Sequence, residues 1–216
     1  MRHKRLLLAL ALLLLLPITA SRSEAKGDIN FMLGFKQIDD FADLQESFSG
    51  EDDLGSQPDL GVEMTFRGAD WPIGVAVDIL GSARQEEVSE YAYPYFIDLE
   101  VDASTAEVDV GVRKIWELPG KAVRPYVGGG LALARGEVEL TGDAFIPLIG
   151  LITVSESDDG TGVGYWLGGG VYWRLGERFN IGLNARYSSA EVELEDADED
   201  VDVGGIHAGL LLGWGW

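Results

Sequence analysis

The sequence predicts an all-β fold: an eight-stranded antiparallel up-and-down transmembrane β-barrel. Three observations predict it. Eight segments alternate between apolar and polar residues, and their apolar face carries no charge. The connections between them alternate short and long. Tryptophan and excess charge gather at opposite ends of the segments.

Composition sets the frame. The chain has 216 residues, 16 Lys+Arg against 37 Asp+Glu, a net charge of −21, 29 Gly and no Cys. This length suits one domain or two at most. The acidic balance repels phosphate and argues against nucleic-acid binding driven by counterion release. Without Cys there is no disulfide, thiolate nucleophile, zinc-thiolate site or iron–sulfur cluster. Aromatic content of 10% argues against a disordered chain.

Residues 1–25 read as a secretory leader, leaving 26–216 as the barrel domain. Arg2, Lys4 and Arg5 form a basic start, and Leu6–Leu16 is an unbroken apolar run of 11 residues. Ser23 and Ala25 are the small residues of a cleavage site, with Ala20 as a second choice. The run falls short of the roughly 20 apolar residues a membrane-spanning helix needs.

The apolar face of each segment follows in order. It is Ile29, Phe31, Leu33 and Phe35; then Leu60, Val62, Met64 and Phe66; then Ile73, Val75, Val77 and Ile79. The fourth and fifth are Ala106, Val108, Val110, Val112 and Val127, Gly129, Leu131, Leu133. The sixth runs through Val163, Tyr165, Leu167, Gly169, Val171 and Trp173, and the seventh through Ile181, Leu183, Ala185 and Tyr187. The last is Ile206, Ala208, Leu210, Leu212, Trp214 and Trp216. None of these 36 positions is charged, in a chain that is 25% charged. At that average about 9 would be, so the alternation marks half-buried strands.

Alternation leaves open which face is inside. A soluble barrel turns its apolar face in; a transmembrane barrel turns it out to lipid. The connections favour the membrane. Those near 68–72, 115–122 and 175–178 are short, and those over 39–58, 81–104, 135–160 and 188–202 are long. This is the pattern of periplasmic turns and outer loops. Trp71, Trp116, Trp173, Trp214 and Trp216 lie at the short-turn end, where amphipathic rings form a periplasmic girdle. Tyr91, Tyr93, Tyr95, Phe96 and Tyr187 are candidates for the opposite belt. The four long connections hold 27 acidic residues and only Arg84 and Arg135 as bases. An even strand number places both termini on the periplasmic side.

The inward face carries both signs. Arg67, Arg113, Arg174 and Arg186 are set to meet Glu63, Asp78, Glu107 and Asp109, and Lys36 shares that face. Glycines beside them leave room for long side chains. Eight strands enclose little space, and buried charge requires pairing. The expected result is a salt-bridged plug; a narrow channel for small, hydrophobic solutes is the alternative. Strand shear, which spacing does not reveal, decides which residues pair.

Several segments carry a family resemblance. These are the leader, Arg124-Pro125-Tyr126-Val127-Gly128-Gly129-Gly130, the strand end Leu167-Gly168-Gly169-Gly170-Val171-Tyr172-Trp173-Arg174-Leu175, and the aromatic-ended last strand. They resemble the small bacterial outer-membrane β-barrels of the outer-membrane protein A, X and W type. The resemblance implies a Gram-negative outer-membrane location and a non-enzymatic structural or surface role. Its partners would be membrane lipid, lipopolysaccharide and the barrel-assembly machinery, and the chain would act as a monomer. In that family the assembly signal ends in an aromatic residue, usually Phe; here it is Trp216.

Two further features bear on activity. Some outer-membrane barrels modify lipid A using His with Ser and a carboxylate. His207, with Ser188 and Ser189 on the neighbouring strand, is the one place such chemistry could sit. A lone polar filler is the simpler reading of Gly205-Ile206-His207-Ala208-Gly209. The acidic stretch with Asp196, Asp198 and Asp200 has the opening spacing of a calcium loop. It lacks the sixth-position Gly and twelfth-position Glu; Val201 and His207 stand there. No specific metal site or other cofactor is expected, only diffuse Ca²⁺ or Mg²⁺ at the acidic loops. Phe145–Ile152 is too short to span as a helix and is expected to extend a hairpin.

Overall fold

The structure is a computed structural model describing residues 26–38, 56–92, 95–120, 122–146, 150–192 and 201–216. The leader and the Asp196–Asp200 stretch lie outside the described residues. The described residues form ten strands: β1 (Lys26–Gln37), β2 (Ser56–Arg67), β3 (Gly74–Ala92), β4 (Tyr95–Ile115), β5 (Val123–Ile146), β6 (Gly150–Leu175), β7 (Phe179–Ser189), β8 (Glu191–Val192), β9 (Val201–Asp202) and β10 (Gly205–Gly215). Eight of them close a barrel in the order β1-β10-β7-β6-β5-β4-β3-β2, while β8 and β9 form a separate two-stranded ladder. Closure runs antiparallel from Asp28↔Gly215 to Gln37↔Ile206. Closing the sheet pairs the edge strands, which a lipid environment demands. The eight barrel strands contain the eight alternating segments, except that Ile73 and Trp216 lie one residue outside β3 and β10.

The apolar face points out. Leu131 and Val163 each expose 66% of their surface, and Phe31, Leu33, Phe35, Leu183 and Leu210 are likewise exposed. Asp78, Asp109, Glu63 and Arg113 on the opposite face are buried. A water-soluble barrel has the reverse arrangement, so the exposed aliphatic band requires lipid. Trp71, Trp116, Trp214 and Trp216 are exposed at the short-turn end. There Trp216 packs 6.2 Å from the ring of Phe66, and Trp214 lies 5.7 Å from Phe179. Trp173, half-buried, lies on the same face near the end of β6.

The two middle long connections are not loops. β3 and β4 stay paired out to Ala92↔Tyr95, and β5 and β6 out to Ile146↔Gly150. Together with the β4–β5 ladder, which reaches Phe96↔Phe145, they build a four-stranded sheet that projects past the barrel rim. The expected belt changes accordingly. Phe96 stacks on Phe145 at the far end of the projection, with centroids 6.4 Å apart. The lipid-level pair on the barrel is Tyr165 with Tyr187, at 6.2 Å. Phe96 sits 10 residues beyond Ala106 along β4, too far out to belong with that pair.

The projecting sheet reverses the amphipathicity of the barrel below it. On β4 the outward residues are Val112, Val110, Val108 and Ala106, then Ser104, Asp102, Glu100 and Asp98. The inward residues change from Arg113, Asp109 and Glu107 to Ala103, Val101 and Leu99. β5 makes the same change, from Leu133 to Glu137 and Glu139 outside, and to Val138 and Leu140 inside. The crossover lies at the ladder Ala106↔Arg135↔Thr161. Below it the outer face meets acyl chains; above it the outer face meets water.

Candidate functional site

Among the described residues the lumen is where the fold gathers chemically active side chains, and it is filled in three tiers. At the short-turn end, Asp28 accepts both guanidinium nitrogens of Arg124 at 2.9 and 3.1 Å, Arg174 at 2.9 Å and Asn180 at 3.0 Å. Arg67 instead reaches Glu117 in the β4–β5 turn at 2.7 Å. Lys26 and Arg124 also approach Glu117, at 3.7 and 3.4 Å. The hydrogen bond from Arg67, with the nearby charges of Lys26 and Arg124, holds the Glu117 carboxyl below its ordinary range despite a partial burial cost.

The middle tier is wholly buried. Arg113 donates to Asp78 at 2.6 Å and to Thr65 at 3.1 Å, and lies 3.7 Å from Glu63. Arg186 bridges Asp78, at 3.3 Å, and Asp109. Glu63 also accepts from Tyr172 at 3.2 Å and from Asn184. Tyr172 and Tyr126 stack with centroids 4.4 Å apart. Trp166 lies 4.5 Å from the Arg186 guanidinium and 5.7 Å from that of Arg113. Aromatic faces thus cover cations whose nitrogens point at carboxylates.

The glycine runs explain how these rings fit. A Cβ on Gly128 would stand 2.9 Å from the Trp166 ring, and one on Gly170 2.8 Å from the Tyr126 ring. Both glycines face the lumen, so their missing side chains are the space the aromatics occupy.

The third tier surrounds His207. Its Nδ1 lies 2.7 Å from Asp59 Oδ2; its Nε2 lies 3.2 Å from Ser188 Oγ and 3.5 Å from Glu107. Lys36 pairs with Glu107 and donates to Thr105 at 2.9 Å and to the Val203 carbonyl at 2.7 Å. His207 is therefore not a lone filler. Carboxylate, imidazole and hydroxyl stand in the order of a hydrolytic triad. Ser188 is nevertheless completely buried, and Glu107 shares the ring nitrogen that would serve it as base.

An apolar lid closes this tier. Ile38, Ala103, Ala134, Ala190, Val192 and Val203 form one buried cluster, with Val138 and Val201 packed against it. The two described ends of the last connection are joined by Asp202, which accepts from Ser189 Oγ and from the backbone N–H groups of Ala190 and Gly204, each at 2.8 Å.

Placement of the predicted charges is therefore uneven. Glu63, Asp78, Asp109, Arg113 and Arg186 meet in one network, and Glu107 belongs with Lys36 and His207. Arg67 and Arg174 do not meet the predicted acids; they sit at the short-turn rim, 10% and 27% exposed at the side chain, on Glu117 and Asp28. Asp28, Asp59, Arg124, Tyr126, Trp166 and Tyr172 belong to the lumen and were not among the predicted residues. Their signal was parity: each shares the inward phase of its strand. Among the described residues no group of three or more His, Asp or Glu has the geometry to hold a metal ion.

Comparison with known proteins agrees with this geometry. A model of the outer membrane protein beta-barrel domain matches residues 6–212. Ail, the attachment invasion locus protein of Yersinia pestis, solved with the heparin analogue sucrose octasulfate, is 14% identical with a TM-score of 0.53. That similarity covers 89% of this chain and 99% of Ail. A major outer membrane protein from Thermus thermophilus is 12% identical with a TM-score of 0.50, covering 89% of this chain and 98% of that one. At these identities the likeness is one of fold. No curated protein matches the sequence. Exposed aliphatic band, closed antiparallel sheet and matched domain model converge: the chain belongs to the outer-membrane β-barrel protein family and resides in the bacterial outer membrane.

Proposed function

We propose that this protein is a sealed, non-enzymatic barrel that displays an acidic sheet at the cell surface. The filled lumen carries this reading. Three tiers of paired side chains are capped by the Ile38–Val192–Val203 lid, which supports a structural and display role over solute passage. The long-connection end faces outward and the Trp girdle faces the periplasm. Trp216, the last aromatic of the chain, serves the assembly machinery.

The ligand of Ail does not carry over on chemistry. A sulfated saccharide is an anion, and the four long connections here hold 27 acidic residues against two bases. Beside anionic lipopolysaccharide such a surface recruits Ca²⁺ or Mg²⁺ diffusely as bridging counterions. The reading also sets catalysis at His207 aside, because Ser188 is completely buried beside the Ile38–Val192–Val203 cluster.

Three measurements test this function. The purified protein in planar bilayers is expected to leave conductance at baseline; reproducible single-channel steps would establish the channel instead. The chain has no Cys, so Ser157→Cys is a unique label site, expected to react with an impermeant maleimide on intact cells. Lipid A from cells carrying His207→Ala is expected to have an unchanged mass spectrum; a lost acyl modification would reinstate the enzyme.

A further inference from the structure

We propose that Lys114 binds the phosphate of an anionic phospholipid in the periplasmic leaflet, with Trp116 beside the headgroup. The inference goes beyond surface display and rests on the lipid-facing wall of the barrel.

Lys114 departs from the rule its neighbours obey. It continues the outward phase of β4 between Val112 and Trp116, while Arg113 beside it turns into the lumen. Among the described residues every other outward side chain of the barrel strands below the Ala106↔Arg135 rung is uncharged. Lys114 is half-buried, and its cross-strand partner is the exposed, apolar Val127. Among the described residues no acid forms an ion pair or hydrogen bond with it. Glu117, three residues on, is already shared by Lys26, Arg67 and Arg124.

Depth puts the ammonium at a headgroup. From Ala106 to Lys114 β4 runs eight residues. At roughly 3.4 Å per residue and a tilt of about 40° this is about 21 Å along the membrane normal. The apolar band of such a barrel is about 25 Å tall. The Lys114 backbone therefore stops just inside the periplasmic boundary, and its apolar stem carries the ammonium across it. Trp116, exposed two residues further on, sets its ring at the same boundary. The anion that this position offers is lipid phosphate.

Charge selects the lipid. At the short-turn end Lys26, Arg67, Arg124 and Arg174 share the two acids Asp28 and Glu117. Lys121 and Arg178 match Asp70 and Glu177 in number. This end thus holds surplus positive charge before Lys114 is counted. A zwitterionic headgroup brings a cation of its own into that field. A headgroup of net negative charge satisfies Lys114 and the surplus together.

The test uses the full mature chain in nanodiscs of equal dioleoylphosphatidylglycerol and dioleoylphosphatidylcholine, with retained lipid read by native mass spectrometry. Wild type is expected to retain phosphatidylglycerol at least about fivefold over phosphatidylcholine. Lys114→Gln is expected to remove most of that preference and Lys114→Arg to keep it. Arg178→Gln, which removes an exposed charge from the β6–β7 turn, is expected to leave it nearly unchanged. No preference in wild type, an unchanged preference in Lys114→Gln, or an equal loss in Arg178→Gln overturns the proposal; the last is diffuse attraction to the rim. Solid-state nuclear resonance on wild type with nitrogen-labelled lysine is a second measurement, independent of how the variants fold. Dipolar coupling between a lysine Nζ and phosphatidylglycerol phosphorus is expected, and its absence overturns the proposal.

Discussion

β4 and β5 pass through two surroundings without a break, and their two halves obey opposite rules. In the barrel half, Val108, Val110 and Leu131 face out, and Asp109 and Arg113 face in. In the projecting half, Glu100, Asp102 and Glu139 face out, and Leu99, Val101 and Leu140 face in. Backbone, pleat and pairing are the same. Only the medium differs: acyl chains below the Ala106↔Arg135 rung, water above it. Alternation therefore reports a two-faced strand, and the phase of the alternation reports what each face touches.

Five substitutions probe this boundary. The largest effect belongs to the lumen of the barrel half. Arg113→Ala strands Glu63 and Asp78 as buried, partly unpaired carboxylates and is expected to cost about 3–5 kcal/mol. Urea unfolding from lipid bilayers reads it directly, and a loss under about 1 kcal/mol would mean water reaches this tier.

Next comes the outer face. Val110→Arg puts a charge against acyl chains near mid-depth and is expected to cost about 2–4 kcal/mol. Thr141→Arg, on the outward face of the projection, is expected to shift stability by no more than about 0.5 kcal/mol. Equal costs for the two would place the membrane boundary elsewhere than the Ala106 rung.

Gly170→Leu fills space the aromatics hold, because a Cβ there already meets the Tyr126 ring and the Leu183 carbonyl. Overpacking of this kind is expected to cost about 1–3 kcal/mol, with loss of the near-ultraviolet signal of the Tyr126–Tyr172 stack. A neutral result would show that this stack can slide aside.

A small, pH-dependent effect lies at the periplasmic turn. The Glu117 carboxyl titrates below its ordinary range, chiefly because Arg67 donates to it. Its folded value is below its unfolded value, so its contribution is present above the usual glutamate range, near pH 4.3. It fades as pH falls through the folded value. Its side chain is 44% exposed, so solvent screening limits Glu117→Gln to at most about 1 kcal/mol at neutral pH. Once pH has fallen below the folded value, wild type and variant should unfold alike; a difference that persists there would trace to packing and not to charge.

The projecting sheet was legible in part. Asp98-Leu99-Glu100-Val101-Asp102-Ala103 and Glu137-Val138-Glu139-Leu140 keep a period of two, but with the phase reversed, so a search for one continuous apolar face ends each strand at the boundary. On β6 the alternation does not invert cleanly, because Leu151 and Ile152 adjoin and Glu156 and Asp158 share the inner phase. Only pairing with β5 identifies it as strand.

The barrel, its eight strands, the lipid-facing side chains and the segregation of acid to one end are all written in the sequence. These follow from period, phase and the cost of charge in lipid, which are local to each strand. The closed barrel alone brings Arg186 to Asp78 across 108 residues and His207 to Asp59 across 148. It also set Arg67 and Arg174 at the rim. Pairing across a lumen depends on the stagger between strands, and stagger is fixed only when the sheet closes on itself.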